Sequence, residues 1–213
     1  MSPHTPDKPI PRPLPSDKVT GPDSELSENE LWVLSFYRSS EINGALFFGR
    51  VARTIRGPLQ VDVTHHFSDE ANHSKYWTDC IAEFDRLPIK LGKTYQDQYL
   101  DAIGVPANLM EVMAITQVFE KRVVSQYRKH LRVPGTPAAV RATIERIMLD
   151  ERWHIAYVGQ ALKDMAERYG EAAIAETLAR FSAADEEIYA RTLAEYDERV
   201  DFLVEQSAKR SRS

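Results

Sequence analysis

Two pentapeptides decide the fold: Asp69-Glu70-Ala71-Asn72-His73 and Asp150-Glu151-Arg152-Trp153-His154. Both read D-E-x-x-H. With 14 Asp, 18 Glu and 6 His among 213 residues, chance supplies roughly 0.03 such strings, so a pair of them stands well above the usual short-motif background. On a helix, residues i and i+3 share a face, and each motif therefore sets a carboxylate beside an imidazole. Carboxylate oxygen plus imidazole nitrogen, without thiolate, suits a divalent first-row metal and favours iron or manganese over structural zinc.

The sequence around both motifs is helical. Residues 27–56 carry an apolar stripe of period 3.6 through Leu34, Tyr37, Ala45, Phe48 and Ala52. Gly57-Pro58 interrupts it, with Pro58 suited to open a second helix that runs to about Leu87. A mixed stretch, 88–106, precedes a third helix over about 108–131. A turn at 133–137 follows, with Thr136 as expected N-cap and Pro137 as first helical residue. The fourth helix extends to Tyr169, where Gly170 stops it. A final segment, 171–207, is expected to break near Ser182. The best strand candidate, Val61-Asp62-Val63-Thr64, sits in helical phase, and the expected class is all-α.

Turn symmetry selects further ligands. In an antiparallel helical hairpin, residues equidistant from the turn lie at equal depth. Across the 135–136 turn, Glu151 faces position 120, which is Glu120; across Gly57-Pro58, Glu70 faces Glu41. Glu111 is the competing choice on the third helix, but its midpoint with Glu151 falls inside a helix, and it lies on the face opposite Glu120. Glu41, Glu120 and Glu151 each interrupt an apolar stripe, where a carboxylate must be neutralised, paired or metal-bound. Four carboxylates at one depth would be balanced by two divalent cations with two neutral imidazoles. Surface Glu and His on amphipathic helices, or a hydrogen-bonded network without metal, are the alternatives.

One Glu from each of two helices and Glu-x-x-His from each of two others resembles the ferritin-like di-iron carboxylate proteins, the rubrerythrin-like superfamily included. The resemblance covers about residues 27–168 and fills six ligand positions: Glu41, Glu70, His73, Glu120, Glu151 and His154. It implies a ferritin-like four-helix bundle of two antiparallel hairpins, joined by a long crossover at 88–106, with an additional C-terminal helix. It also implies Glu70 and Glu151 as the catalytic, metal-bridging carboxylates, with Glu41 and Glu120 terminal. Metal-bound histidines donate their second ring N–H to a carboxylate, and from this Asp69 is expected to reach His154 and Asp150 to reach His73. His66, one turn before Glu70, reads as a core histidine first and an extra ligand second. Tyr37, Tyr127 and Tyr157 read as core residues first, able to hydrogen-bond a ligand or carry a radical second, and Cys80 as a small core residue. Phe47, Phe48, Trp77 and Met113 read as core, or as cavity wall.

The activity implied by the resemblance is that of an O2-dependent di-iron oxygenase. Its cofactors would be two Fe ions (Fe/Mn or Mn as variants), with O2 as co-substrate. An organic small molecule would be the substrate, and a separate reductase or ferredoxin the electron donor. A rubrerythrin-like peroxidase or ferroxidase and a non-catalytic helical interaction module are the competing readings. A single cysteine excludes an intrachain disulfide and a Cys-ligated iron site. The formal net charge of -5 argues against general nucleic-acid binding, though Lys209-Arg210-Ser211-Arg212 leaves tRNA open. A homodimer is left open too. No apolar run approaches a membrane span, and no signal peptide is evident, so the cytoplasm is the expected compartment. Seven of the 12 prolines fall within 1–22. Residues 1–26 therefore read as a Pro-rich disordered tail, 27–207 as the helical domain and 208–213 as a basic C-terminal tail.

Overall fold

A computed structural model describes residues 25–92, 95–201 and 203. The Pro-rich residues 1–24 and the basic 208–213 tail lie outside the described residues. Among the described residues the chain is all-α: α1 (Glu28–Thr54), α2 (Leu59–Glu83), α3 (Tyr95–Ile103), α4 (Leu109–His130), α5 (Ala138–Asp164), α6 (Ala166–Tyr169) and α7 (Glu171–Glu195). A last helical stretch, 197–201, follows a turn at Tyr196. No helix among the described residues is long and apolar enough to cross a membrane.

Local chemistry sets the helix ends. Ser27 and Glu30 form a capping box that opens α1, and Leu26 just before it packs into the core. Gly57, at φ +89°, makes the turn before Pro58 and α2. Asn108 caps α4 by accepting from the Glu111 N–H, while the Glu111 carboxylate accepts from the Ala107 N–H and pairs with Arg180 of α7. Glu111 is thus a capping residue and not part of the interior, as its phase required.

The structure corrects three expectations. Thr136 does not cap α5. It is buried and donates to the carbonyls of His130 and Val133, while Pro137 takes the N-cap position without a side-chain bond. α7 passes through Ser182 unbroken, because Phe181, Asp185 and Ile188 keep one continuous buried face; the break comes at Tyr196. The 88–106 connection contains a helix, α3, held against α7 by the Tyr95 hydroxyl on Asp185 and by Gln98 on Thr192.

α1 packs along α2 and α4 along α5; α2 meets α5, and α7 lies on α4. Two apolar clusters occupy opposite ends of this assembly. Leu34, Trp77, Val124 and Ile147 belong to one, and Phe48, Val63, Met113 and Val158 to the other. Each of α1, α2, α4 and α5 contributes to both clusters and carries a buried glutamate between them: Glu41, Glu70, Glu120 and Glu151. Burial of a large apolar side chain stabilises by about 1.5–3 kcal/mol, whereas a buried, uncompensated carboxylate costs several. The polar layer is therefore a local deficit supported by apolar packing on either side.

Candidate metal centre

Helical period places the polar layer. On α2, His66, Glu70 and His73 follow at spacings of four and three and point to one face; on α5, Glu151 and His154 do the same. All six ligand candidates from the sequence, Glu41, Glu70, His73, Glu120, Glu151 and His154, are buried and lie together, and His66 joins them. They fall into two groups that share Glu70. His66, Glu70, Glu120 and His154 form one, and Glu41, Glu70, His73 and Glu151 the other, with the candidate ligand atoms of each group all within 4.8 Å of one another.

The tautomers follow from hydrogen bonding. His73 Nε2 lies 3.1 Å from Asp150 Oδ2, and His154 Nε2 lies 3.3 Å from Asp69 Oδ2. These are the pairs named from the sequence. A carboxylate only accepts, so each Nε2 carries the proton and each Nδ1 faces inward. His73 Nδ1 stands 3.4 Å from Glu151 Oε1 and 3.6 Å from Glu41 Oε2, buried and without a hydrogen-bond partner among the described residues. His154 Nδ1 stands 3.2 Å from Glu151 Oε2, 3.8 Å from Glu120 Oε2 and 3.9 Å from Glu70 Oε1. His66 Nε2 faces Glu120 Oε1 at 3.1 Å and Glu70 Oε1 at 3.2 Å, while its Nδ1 meets the Tyr157 hydroxyl at 2.7 Å.

Ligands about 2.1 Å from one cation lie about 3 Å apart when adjacent and about 4 Å apart when opposite. The separations of 3.1–3.9 Å span that range. Three ring nitrogens each face two or more carboxylate oxygens, a set that only protons or cations can reconcile. The residues present therefore fit a metal ion in each group, with four carboxylates to balance two divalent charges. Glu70 is common to both groups, and Glu151 turns one oxygen to His73 and the other to His154.

Without metal, protons neutralise the layer. Burial alone lowers imidazole pKa values, but hydrogen bonds to Glu120 and Glu70 outweigh it and raise His66. Burial is likewise overcome at His73, raised to about 9 by Glu41, and at His154, raised by Asp69, Glu120 and Glu151. Burial pushes Glu70 up, and burial with the neighbouring Glu120 charge pushes Glu151 well up. Glu120 is held well down: burial opposes its charge, but bonds to Glu151, His154 and His66 prevail. Metal binding would displace these protons.

Other contacts fix the ligands in place. The Tyr127 hydroxyl donates to Glu41 Oε1 at 2.5 Å and accepts from Trp77 Nε1 at 3.1 Å. His66 stacks between Phe48 and His154, with ring centroids 3.7 Å apart on each side. A side chain at Gly44 would collide with Glu70, since a Cβ there would lie 1.9 Å from Glu70 Oε2. A cavity of about 230 Å³ opens onto Glu41, Glu70, Glu120 and Glu151, with Phe47 and Phe48 in its wall. Trp77 and Met113 are buried core residues outside that wall, and Cys80 is buried in the core with its thiol pushed up to about 11.

His66, Tyr127 and Gly44 gained little weight from sequence. His66 did carry a signal, an i, i+4 spacing to Glu70, and Gly44 did as a lone glycine within a helical pattern. Compared with known protein families, curated proteins and solved structures, the chain has no match in any of the three.

Proposed function

We propose that this chain is a ferritin-like di-metal carboxylate oxidoreductase that acts with O2 on an organic substrate. The observation that supports it is the convergence of four buried glutamates and three inward-facing imidazole nitrogens from α1, α2, α4 and α5. Oxygen and imidazole donors without thiolate favour iron or manganese. When bound, a reduced pair of such ions supplies the electrons that activate O2.

The rest is done by the chain's own residues. Glu70, common to both groups, and Glu151, with one oxygen toward His73 and the other toward His154, would hold both ions, and Glu41 and Glu120 would each hold one. Asp69 and Asp150 fix the protons on the outer nitrogens of His154 and His73, which leaves the inner lone pairs free to bind. With Nε2 of His66 directed inward, its Nδ1–H donates to the Tyr157 hydroxyl. Burial raises the Tyr127 phenol far above neutrality, so it keeps its proton and donates steadily to Glu41. The apolar clusters above and below exclude bulk water, and the 230 Å³ cavity admits small molecules to the carboxylates. With one cysteine in the sequence, electrons would come from a separate donor such as a reductase or ferredoxin.

The test is anaerobic loading with Fe(II), followed by O2 exposure under an oxygen electrode and absorption spectroscopy. Iron-dependent O2 uptake with a spectral change, lost in Glu70→Ala, is the expected outcome. Iron-loaded protein that consumes no more O2 than the Glu70→Ala variant would overturn the reading.

A further inference from the structure

A second cavity, of about 270 Å³, lies between α1, α4 and α7. Glu41, Ser40, Gln96, Phe119 and Val123 belong to its wall and to that of the carboxylate-lined cavity, so the two are neighbours across these side chains. The remaining wall is largely apolar and aromatic, Trp32, Phe36 and Leu193 among it. Its size approaches the lower end of small-molecule sites, and its lining has the usual apolar character.

Three ionisable groups other than tyrosines reach this cavity: Glu41, Arg122 and Lys129. Glu41 is engaged by Tyr127 and faces His73. Arg122 is matched by Asp185, to which it donates from Nε at 2.7 Å and again from Nη2. Lys129 is different. Its half-buried ammonium donates to the Tyr189 hydroxyl at 3.1 Å, and among the described residues no carboxylate pairs with it. The same ammonium lies 5.1 Å from the Tyr189 ring centroid, and an anion entering the cavity would give it the charged partner that Arg122 already has in Asp185. Two further wall residues carry buried polar atoms without hydrogen-bond partners among the described residues, the Tyr37 hydroxyl and Gln96 Oε1.

We propose that this cavity binds the substrate, an apolar molecule bearing one anionic group such as a medium-chain carboxylic acid, with Lys129 holding the anion. Lys129 lies nine residues beyond Glu120 on α4, about 13 Å of helix rise. With the anion held at Lys129, the apolar body runs along the aromatic wall toward Glu41. Carbons remote from the anion come to rest beside the glutamate and histidine layer. This assignment rests on the reading of that layer as the reacting centre.

The experiment is calorimetric titration of decanoate into the full chain, metal-free and Mn(II)-loaded, alongside 1-decanol and decyltrimethylammonium. Saturable one-to-one decanoate binding is expected, stronger than decanol, with decyltrimethylammonium excluded. Lys129→Gln should weaken decanoate about tenfold and leave decanol unchanged, as expected for loss of one charge-assisted contact. Leu193→Trp, checked for retained helicity by circular dichroism, should abolish both by filling the cavity. Absence of saturable decanoate binding, equal affinity in Lys129→Gln, or equal binding of the cationic amphiphile would overturn the proposal. No turnover is measured, so the two readings fail separately. Decanoate binding to a chain that takes up no metal upholds the cavity and removes the metal reading. Metal uptake without decanoate binding does the reverse.

Discussion

Gly44 offers a sharp test of the metal centre, because it separates ligand geometry from folding. A Cβ at this position would stand 1.9 Å from Glu70 Oε2 and 2.8 Å from Glu70 Cδ, where ordinary contact begins at 3.4 Å. In Gly44→Ala the carboxylate must therefore retreat by about 1.5 Å, while metal–ligand distances tolerate about 0.2 Å. Glu70 belongs to both ligand groups, so both positions are disturbed at once. The expected loss is about a hundredfold in metal affinity, or about 2.7 kcal/mol. The backbone effect has the opposite sign: alanine in a helix interior is favoured over glycine by about 1 kcal/mol. Metal-free Gly44→Ala should accordingly melt at or slightly above the wild-type temperature, whereas the rise in Tm on metal addition should shrink. Gly159→Ala is the control, since its Cβ would meet Gln117 Oε1 at an acceptable 3.4 Å. Scanning calorimetry with and without Mn(II), plus metal counting, reads both quantities. A Gly44→Ala protein with wild-type metal content and an unchanged metal-dependent Tm shift would refute the reasoning.

Asp69→Ala and Asp150→Ala should each lower metal affinity ten- to a hundredfold by freeing a histidine ring. Competition with a chelator measures this, and Asp69, 14% exposed against 41% for Asp150, should show the larger effect. Asp185→Ala strips Arg122 and Tyr95 of their shared acceptor beneath α7 and should cost about 3 kcal/mol in urea unfolding. His130 gives a pH test: burial, then the Arg141 charge, lowers it from 6.5 to about 4. The fold thus resists its protonation, so its contribution is intact above pH 6.5 and is lost as pH falls through about 4. The loss reaches about 3 kcal/mol, and His130→Gln should show a correspondingly shallower decline in stability over pH 6.5–4.

The polar layer was legible because its signal is redundant. Two D-E-x-x-H strings, two turns and three interrupted apolar stripes all point to one depth, and Glu41, Glu70, His73, Glu120, Glu151 and His154 share it. His66 had no second copy to set it above an ordinary core histidine; tertiary contacts give it its place, through stacking between Phe48 and His154 and polar contacts with Glu70, Glu120 and Tyr157. The α3 helix escaped notice because its nine residues hold too few turns for a clear period, and tertiary bonds to Asp185 and Thr192 hold it. Thr136 carried a cap signature that lost to the carbonyls of its own turn. The Arg122–Asp185 pair joins helices far apart in sequence, with no periodicity linking them.

Anomalous diffraction at the manganese or iron edge, from crystals of metal-loaded protein, tests the central claim most directly. Two peaks per chain are predicted. One should lie among His66, Glu120 and His154 and the other among Glu41, His73 and Glu151, with Glu70 shared between them. Crystals with no anomalous peak inside this cluster, from protein saturated with metal, would contradict the account.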